Sequence, residues 1–330
     1  MKSSRSIGPV HLGPGAEFDL IRKLIKSEEA LPTGVTLGPG DDAAVIEGGW
    51  VISTDLSLEG VHFERAWLED NEIGFRAVSC ALSDLAAMAA VPVGVFTSIA
   101  ANQEEVVESL QSGCRTAASE VGAVILGGDL SRTSGPIFID VVVLGRTHRP
   151  ALRSGALPGN NIWVTGRLGA TSTAVGMWQL GGEPPPKARE AFAQPSPRCL
   201  EACYLVEEEI ANALIDLSDG LVGDLGHIAA ASGVQIVLEE VAVPIAPIAL
   251  QVLGSEQAIE AAFYGGEDYE LCFSARPGAV DPAYFKDRFG LDVTRIGYVQ
   301  EGSGVWVNRD GSRLEPAERT SFNHYPTDLV

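Results

Sequence analysis

Phe18, Ile21 and Ile25, with Leu20 and Leu24 beside them, place an apolar stripe at helical spacing with charges opposite, and predict one amphipathic opening helix. The turn formers Pro32, Gly34, Gly38, Pro39 and Gly40 follow, then a short apolar run at 43–46, Gly48-Gly49 and the string WVISTD, which together predict a hairpin. Asp70 is the predicted N-cap of a long helical segment reaching residue 90, with Ser83 and Asp84 midway and enough small residues to lie close against a sheet. PVGVFTSIA, a helix over 104–121, AVILGGD and IFIDVVVLG continue an alternation of helix and strongly apolar strand. The first domain is expected to end near residue 148.

RPALRSGALPGN, with two prolines and two glycines, reads as a linker, and NIWVTG opens a second run of strand and helix signals. Helices are predicted over 171–180 and 198–213, separated by the break EPPP. The turn IDLSDG then leads into LVGDLGHIAAA, and the strands QIVLE, YELCFSA and VTRIGYV and a hairpin VWVNRDGSR close the chain. No short repeat period is present. The pattern predicts an α/β (layered α+β) chain of two domains, 1–148 and 149–330.

Charge narrows the function. With 23 Lys and Arg against 44 Asp and Glu, the net charge of −21 repels phosphate backbones and anionic lipid, which argues against nucleic-acid or membrane partners. A phosphorylated ligand could be handled only where carboxylates hold divalent cations that reverse the local field. The small apolar stretch 85–101 contains Pro92, Gly94, Thr97 and Ser98 and falls short of the roughly 20 residues of a membrane span. The opening segment has no apolar run fit for secretion, and a cytoplasmic location is expected. Five scattered cysteines without CxxC predict reduced thiols, with Cys199 and Cys203 packing on one helix rather than binding zinc.

Acidic residues recur where apolar runs stop, next to glycine or a hydroxyl: Gly40-Asp41-Asp42, Ser53-Thr54-Asp55, Ser83-Asp84, Gly127-Gly128-Asp129 and Asp216-Leu217-Ser218-Asp219-Gly220. Taken singly, each suits a helix cap or an Asx-turn. Five together, without His or Cys partners, suit Mg²⁺, which takes hard oxygen ligands alongside substrate phosphates. Gly127-Gly128 lets a backbone approach a phosphate, whereas GxxxxGK[ST] and the dinucleotide fingerprint are absent. Gly265-Gly266-Glu267-Asp268-Tyr269 repeats the glycine-and-carboxylate pattern, and His62 lies close to the first cluster. No hydrolase nucleophile motif occurs, and 7% aromatic residues argues against a sugar-binding groove.

In order along the chain, EFDLI, GPGDDAAVI, ISTD, EGVHF, SDLAAM, GGD, RSGALPG, PSPR, IDLSDGL, DLGHIA and GGEDYELCF give the sequence its resemblance to the thiamine-monophosphate kinases, within the superfamily of aminoimidazole ribonucleotide synthetase. The resemblance implies ATP-dependent phosphorylation of thiamine monophosphate to thiamine diphosphate, with several Mg²⁺ ions and ATP as co-substrate. It also implies an amino-terminal domain that pairs across a homodimer and a carboxy-terminal α/β domain closing over the site. Position by position, it makes Asp42, Ser53, Thr54, Asp55, Asp84, Asp129, Asp216 and Asp219 magnesium ligands, and puts Gly128, Asp129, Arg153 and Ser218 on ATP. His62, Glu267 and Phe322 would surround thiamine monophosphate, and Asp84, Asp129 and Arg153 would carry the catalytic role. The chain departs from the family pattern at Gln194, Asn160 and Gln111. Since the acceptor is an already ionised phosphate, direct in-line transfer needs charge neutralisation rather than a strong base. The alternatives are another ATP-using superfamily member, such as aminoimidazole ribonucleotide synthetase, and a non-catalytic nucleotide-binding regulator. Selenophosphate synthetase and the hydrogenase-maturation relative are disfavoured by the missing amino-terminal and carboxy-terminal cysteines.

Overall fold

The computed structural model describes residues 10–25, 31–309 and 313–317. After a short helix α1 (Ala16–Leu24), the first sheet is formed by β1 (Val35–Leu37), β2 (Ala44–Ile46), β3 (Trp50–Leu58), β4 (Val91–Ala101), β5 (Val124–Arg132) and β6 (Phe138–Arg146). Their spatial order is β1-β2-β3-β6-β4-β5, and every pair is antiparallel except β4 with β5. That parallel pair requires a crossover, supplied by α3 (Glu104–Glu120). Helix α2 (Asp70–Ala87) packs beside α3 and against β3 and β6, so one face of the sheet is covered. The predicted hairpin is β2 with β3.

The second sheet contains β7 (Asn161–Thr165), β8 (Ala211–Asp216), β9 (Gln235–Glu239), β10 (Leu271–Ala275), β11 (Val293–Gln300), β12 (Gly304–Arg309) and β13 (Arg313–Pro316). It runs β13-β12-β9-β11-β7-β10-β8, with β9 and β12 its parallel pair. Around it lie α4 (Ala170–Gln179), α5 (Pro186–Ala193), α6 (Cys199–Glu207), α7 (Leu221–Ser232), α8 (Pro247–Tyr264) and α9 (Pro282–Phe289).

Three local expectations change. The start of α2 is closed by a capping box of Glu69 and Glu72, not by Asp70, whose carboxylate instead pairs with Arg65. The helix expected over 198–213 stops at Glu207, because Glu209 takes a left-handed conformation (φ 54°) and the apolar run behind it becomes β8. Helices α5, α8 and α9, hidden in the sequence by their prolines, each begin on one, the first-turn position where the missing N–H has no intrahelical partner to lose.

The two sheets share their cores. Trp178 and Phe192, from α4 and α5, pack into the core beneath the first sheet, with Trp178 stacked on Trp67 at a centroid distance of 5.0 Å. In the other direction Ala86 and Ala87 of α2, with Ala89, join a cluster containing Leu205, Leu214 and Phe273. The small residues of α2 therefore serve two interfaces, and α2 carries Ser83 and Asp84 to the seam between the sheets. No helix among the described residues is long and apolar enough to cross a membrane, and all five cysteines are free thiols.

Candidate active site

The loop before β2, the end of β8 and the middle of α2 bring Asp42, Asp216 and Asp84 together, with carboxylate oxygens within 4.8 Å of one another. Consecutive α2 residues face both sheets: the Ser83 hydroxyl donates to Asp216 Oδ2 (2.6 Å), and the Ser53 hydroxyl on β3 donates to Asp84 Oδ2 (2.5 Å). Arg153, from the segment joining the sheets, donates to Asp42 Oδ1 (2.6 Å), and its backbone N–H is held by Asp41. Its guanidinium lies in the field of three carboxylates, Asp42, Asp41 and Asp216. Burial, with Asp42 next in weight, raises both Asp216 and Asp41 to about 7, and burial plus Asp216 lifts Asp84 well above the usual carboxylate range. Asp42 Oδ2 is buried and has no hydrogen-bond partner among the described residues. That oxygen marks where positive charge belongs.

A second centre adjoins the first. Asp55, on the same side of β3 as Ser53, is raised by burial and feels Arg76 and Glu267, while itself adding to the field at Asp84. The string GGEDYE is a four-way anchor. Glu267 pairs with Arg76, Asp268 accepts from the Gly169 N–H at the start of α4, the Tyr269 hydroxyl reaches Cys80, and Glu270 forms a two-point pair with Arg198 while accepting from Thr165. The main chain of this loop is tied to the Asp216 loop by Glu267 N–H to Ser218 O (2.7 Å) and Tyr269 N–H to Leu217 O (2.8 Å).

Asp219 and the backbone of Ser218 lie in the same turn, where Asp224 accepts from the Asp219 and Gly220 N–H groups. Asp219, Asp224 and His227 form a second cluster, but His227 Nδ1 accepts from Gly13 N–H, so its other nitrogen carries the proton. The Thr54 hydroxyl does not reach the carboxylates. It is exposed on the opposite face of β3, where alternation puts it, and donates to Asp140. Gly128 and Asp129 are also apart from them: two strands stand between β3 and β5, a separation of roughly 14 Å at ordinary strand spacing. They line a cavity of about 350 Å³ with Thr97, Gln111 and Arg115. Gln111 accepts there from Thr97, Asn160 accepts from Leu157 N–H to shape a turn, and Gln194 ends α5. His62 Nδ1 accepts from Leu58 N–H at the end of β3, and Phe322 lies outside the described residues.

Sequence reasoning missed Arg76, Asp140 and Asp224. Arg76, among the other charges of α2, left no distinct signal; Asp224 left one, a lone carboxylate in the apolar run of α7. Asp140 left a similar one in the strand IFIDVVVLG.

The same division into halves appears in comparisons with known proteins. Residues 40–147 match the AIR synthase related protein N-terminal domain, and residues 158–308 the AIR synthase related protein C-terminal domain. This defines the class as a two-domain AIR synthase-type protein. The thiamine-monophosphate kinase of Rhodopirellula baltica is 34% identical over 312 residues, covering 90% of this chain and 93% of the relative. That of Escherichia coli K12 is 31% identical, covering 94% and 98%. The structure of AaThiL complexed with AMPPCP and TMP superposes with a TM-score of 0.80 at 29% identity, covering 94% of this chain and 97% of that one. The chain belongs to the thiamine-monophosphate kinase family. Hydrogenase maturation protein HypE in complex with ATP, at 19% identity and a TM-score of 0.68, shares the fold.

Proposed function

We propose that this protein transfers the γ-phosphoryl group of ATP to thiamine monophosphate, giving thiamine diphosphate and ADP. The observation that carries the reading is the Asp42, Asp84 and Asp216 group with Arg153 beside it, in a member of this kinase family. AMPPCP and TMP, named with AaThiL, are the nucleotide analogue and acceptor that such a site would take. The residues fit Mg²⁺: three converging hard-oxygen ligands, two of them oriented by serine hydroxyls, and a buried carboxylate oxygen with no partner. Asp42, Asp84 and Asp216 would hold it, with Ser53, Asp55 and Asp219 nearby. Bound there, Mg²⁺ supplies the charge neutralisation that two approaching polyanions require.

The chain's own contribution is positional. Arg153 offers donors to the transferring phosphoryl group once phosphate competes with Asp42 for its guanidinium. Gly128 and Asp129 would meet ATP further along the sheet, and Glu267 and His62 the acceptor. No general base is needed, so transfer runs directly in line, and a phosphorylated aspartate trapped during turnover would overturn that step. The test of the reaction is incubation with MgATP and thiamine monophosphate, followed by separation of the thiamine esters. Thiamine diphosphate forming one-for-one with ADP and abolished by EDTA is expected; ATP bound without that product would favour a different acceptor.

A homodimer belongs to the same reading. Leu56, Val93, Phe96 and Phe138 are exposed on strands of the first sheet, on the side away from α2 and α3, where a solvent-facing sheet would carry polar side chains. The occupant proposed for this face is a second copy, meeting it through a two-fold contact.

A further inference from the structure

We propose that Arg76 is a positioning residue that holds Glu267 in the geometry needed to bind the acceptor substrate, an inference that rests on the thiamine-monophosphate reading above. Arg76 sits mid-helix in α2 with only 4% of its side chain exposed. Its guanidinium makes three contacts at once: 2.5 Å to Glu267 Oε1, 2.5 Å to the Phe192 carbonyl at the end of α5, and the face of the Phe192 ring at 3.8 Å. An apolar side chain would fill that place in a helix core at less desolvation cost, so stability alone gives little reason for a buried cation. Its partner is unusual too. Glu267 (φ 71°) and Tyr269 (φ 48°) both lie in the left-handed region, which side chains other than glycine avoid.

The strain and the buried charge coincide at one loop. Left-handed Glu267 aims its carboxylate back at α2, while its N–H stays bonded to Ser218 O, in the turn that follows Asp216. The Glu267 side chain is 27% exposed and lies within the electrostatic reach of Asp55, which in turn acts on Asp84. Arg76 thus fixes the distance between the metal end and the acceptor end of the cleft. It also neutralises Glu267, so that the pair presents an oriented hydrogen-bond acceptor to an N–H donor of the substrate instead of a bare negative charge. A loosened Glu267 would weaken acceptor binding and leave ATP binding intact.

The test compares Arg76→Met, Arg76→Lys, Glu267→Gln and the double variant Arg76→Met/Glu267→Gln in full-length protein. Arg76→Met is expected to raise KM for thiamine monophosphate about tenfold or more, while KM for ATP stays within about twofold. Arg76→Lys should recover most of the loss, and in the Glu267→Gln background the Met substitution should add nothing further. Should Arg76→Met fail to fold, the Lys and double variants still decide, since neither leaves the Glu267 carboxylate without its ion-pair partner beside a buried apolar side chain. Additive effects in the double variant, or a fall in kcat with both KM values unchanged, would overturn the proposal. Amide exchange gives a readout independent of substrate: the Glu267 and Tyr269 N–H groups should exchange faster in Arg76→Met than in the parent. Unchanged exchange overturns the clamp, whereas a parent enzyme that forms no thiamine diphosphate overturns the acceptor reading alone.

Discussion

At the Asp42, Asp84 and Asp216 cluster, stability and function pull in opposite directions. Carboxylates this close repel one another, and the raised pKa values of Asp84 and Asp216 record that repulsion together with burial. Asp84→Asn removes one charge while keeping an acceptor for the Ser53 hydroxyl. Without metal the variant should melt no lower than the parent, yet Mg²⁺ should raise its melting temperature far less, and kcat should fall by about a hundredfold or more. Thermal melts with and without Mg²⁺, alongside turnover, check both signs; a variant that keeps the full Mg²⁺ shift would move the metal elsewhere. His227 supplies a second titration. Burial, then Arg153 and Arg22, lowers its pKa to about 3. Because the folded value lies below the ordinary 6.5, its contribution is fully present above pH 6.5 and is lost as pH falls towards 3. Asp41 and Asp216, raised to about 7, act in reverse: their contribution is present below 3.8 and lost as pH rises through 7. His227→Asn, which keeps an acceptor for Gly13 N–H, isolates the histidine. From pH 7.5 to 5 the parent's urea midpoint should shift downward relative to the variant's, and equal shifts would refute the assignment. The carboxylates of this site were legible because each interrupts an apolar run. Arg76 was not, since its meaning lies in Phe192 and Glu267, far along the chain.

Among the elements, α2 and α3 pack backbone against backbone. A Cβ on Gly74 would lie 1.9 Å from Leu110 O, and one on Gly113 would lie 1.8 Å from Asn71 O, so each helix uses a glycine to admit the other's backbone. Glycine in a helix interior ordinarily costs about 1 kcal/mol relative to alanine. Gly176, mid-way along α4, has nothing within 4 Å of its would-be Cβ. Gly176→Ala should therefore stabilise by up to about 1 kcal/mol, whereas Gly74→Ala or Gly113→Ala should destabilise by about 1–3 kcal/mol or more through overpacking. Urea denaturation of the three variants decides it, and a common sign would sink the argument. Element by element, long periodic segments such as α3 were readable from spacing alone. Helices α5, α8 and α9 were obscured because a proline reads as a breaker until the chain is known to start a helix on it. The end of α6 depends on the single conformation of Glu209, which composition does not encode.

For the molecule as a whole, the interlocked cores leave the outer face of the first sheet, with its exposed apolar side chains, uncovered among the described residues. Helices α2 and α3 bury one face of the first sheet, and Trp178 and Phe192 extend that core towards the second half of the chain. On the other side Phe96 is 40% exposed, Phe138 38% and Leu56 41%, on three adjacent strands, and β5 is the last strand of the sheet among the described residues. A lone exposed phenylalanine is ordinary; several large apolar side chains on one sheet face, around the Thr54–Asp140 pair, suit a contact surface. A chain with net charge −21 resists association unless such a face outweighs the repulsion, so the proposed dimer should tighten as ionic strength screens that charge. Light scattering during gel filtration should give a mass of two chains. Phe96→Asp sets an unpaired carboxylate into the face of each copy and should yield a folded monomer, verified by unchanged circular dichroism. A parent protein that is monomeric at tens of micromolar in moderate salt, or a Phe96→Asp variant that remains dimeric, would place the contact, if there is one, on another surface.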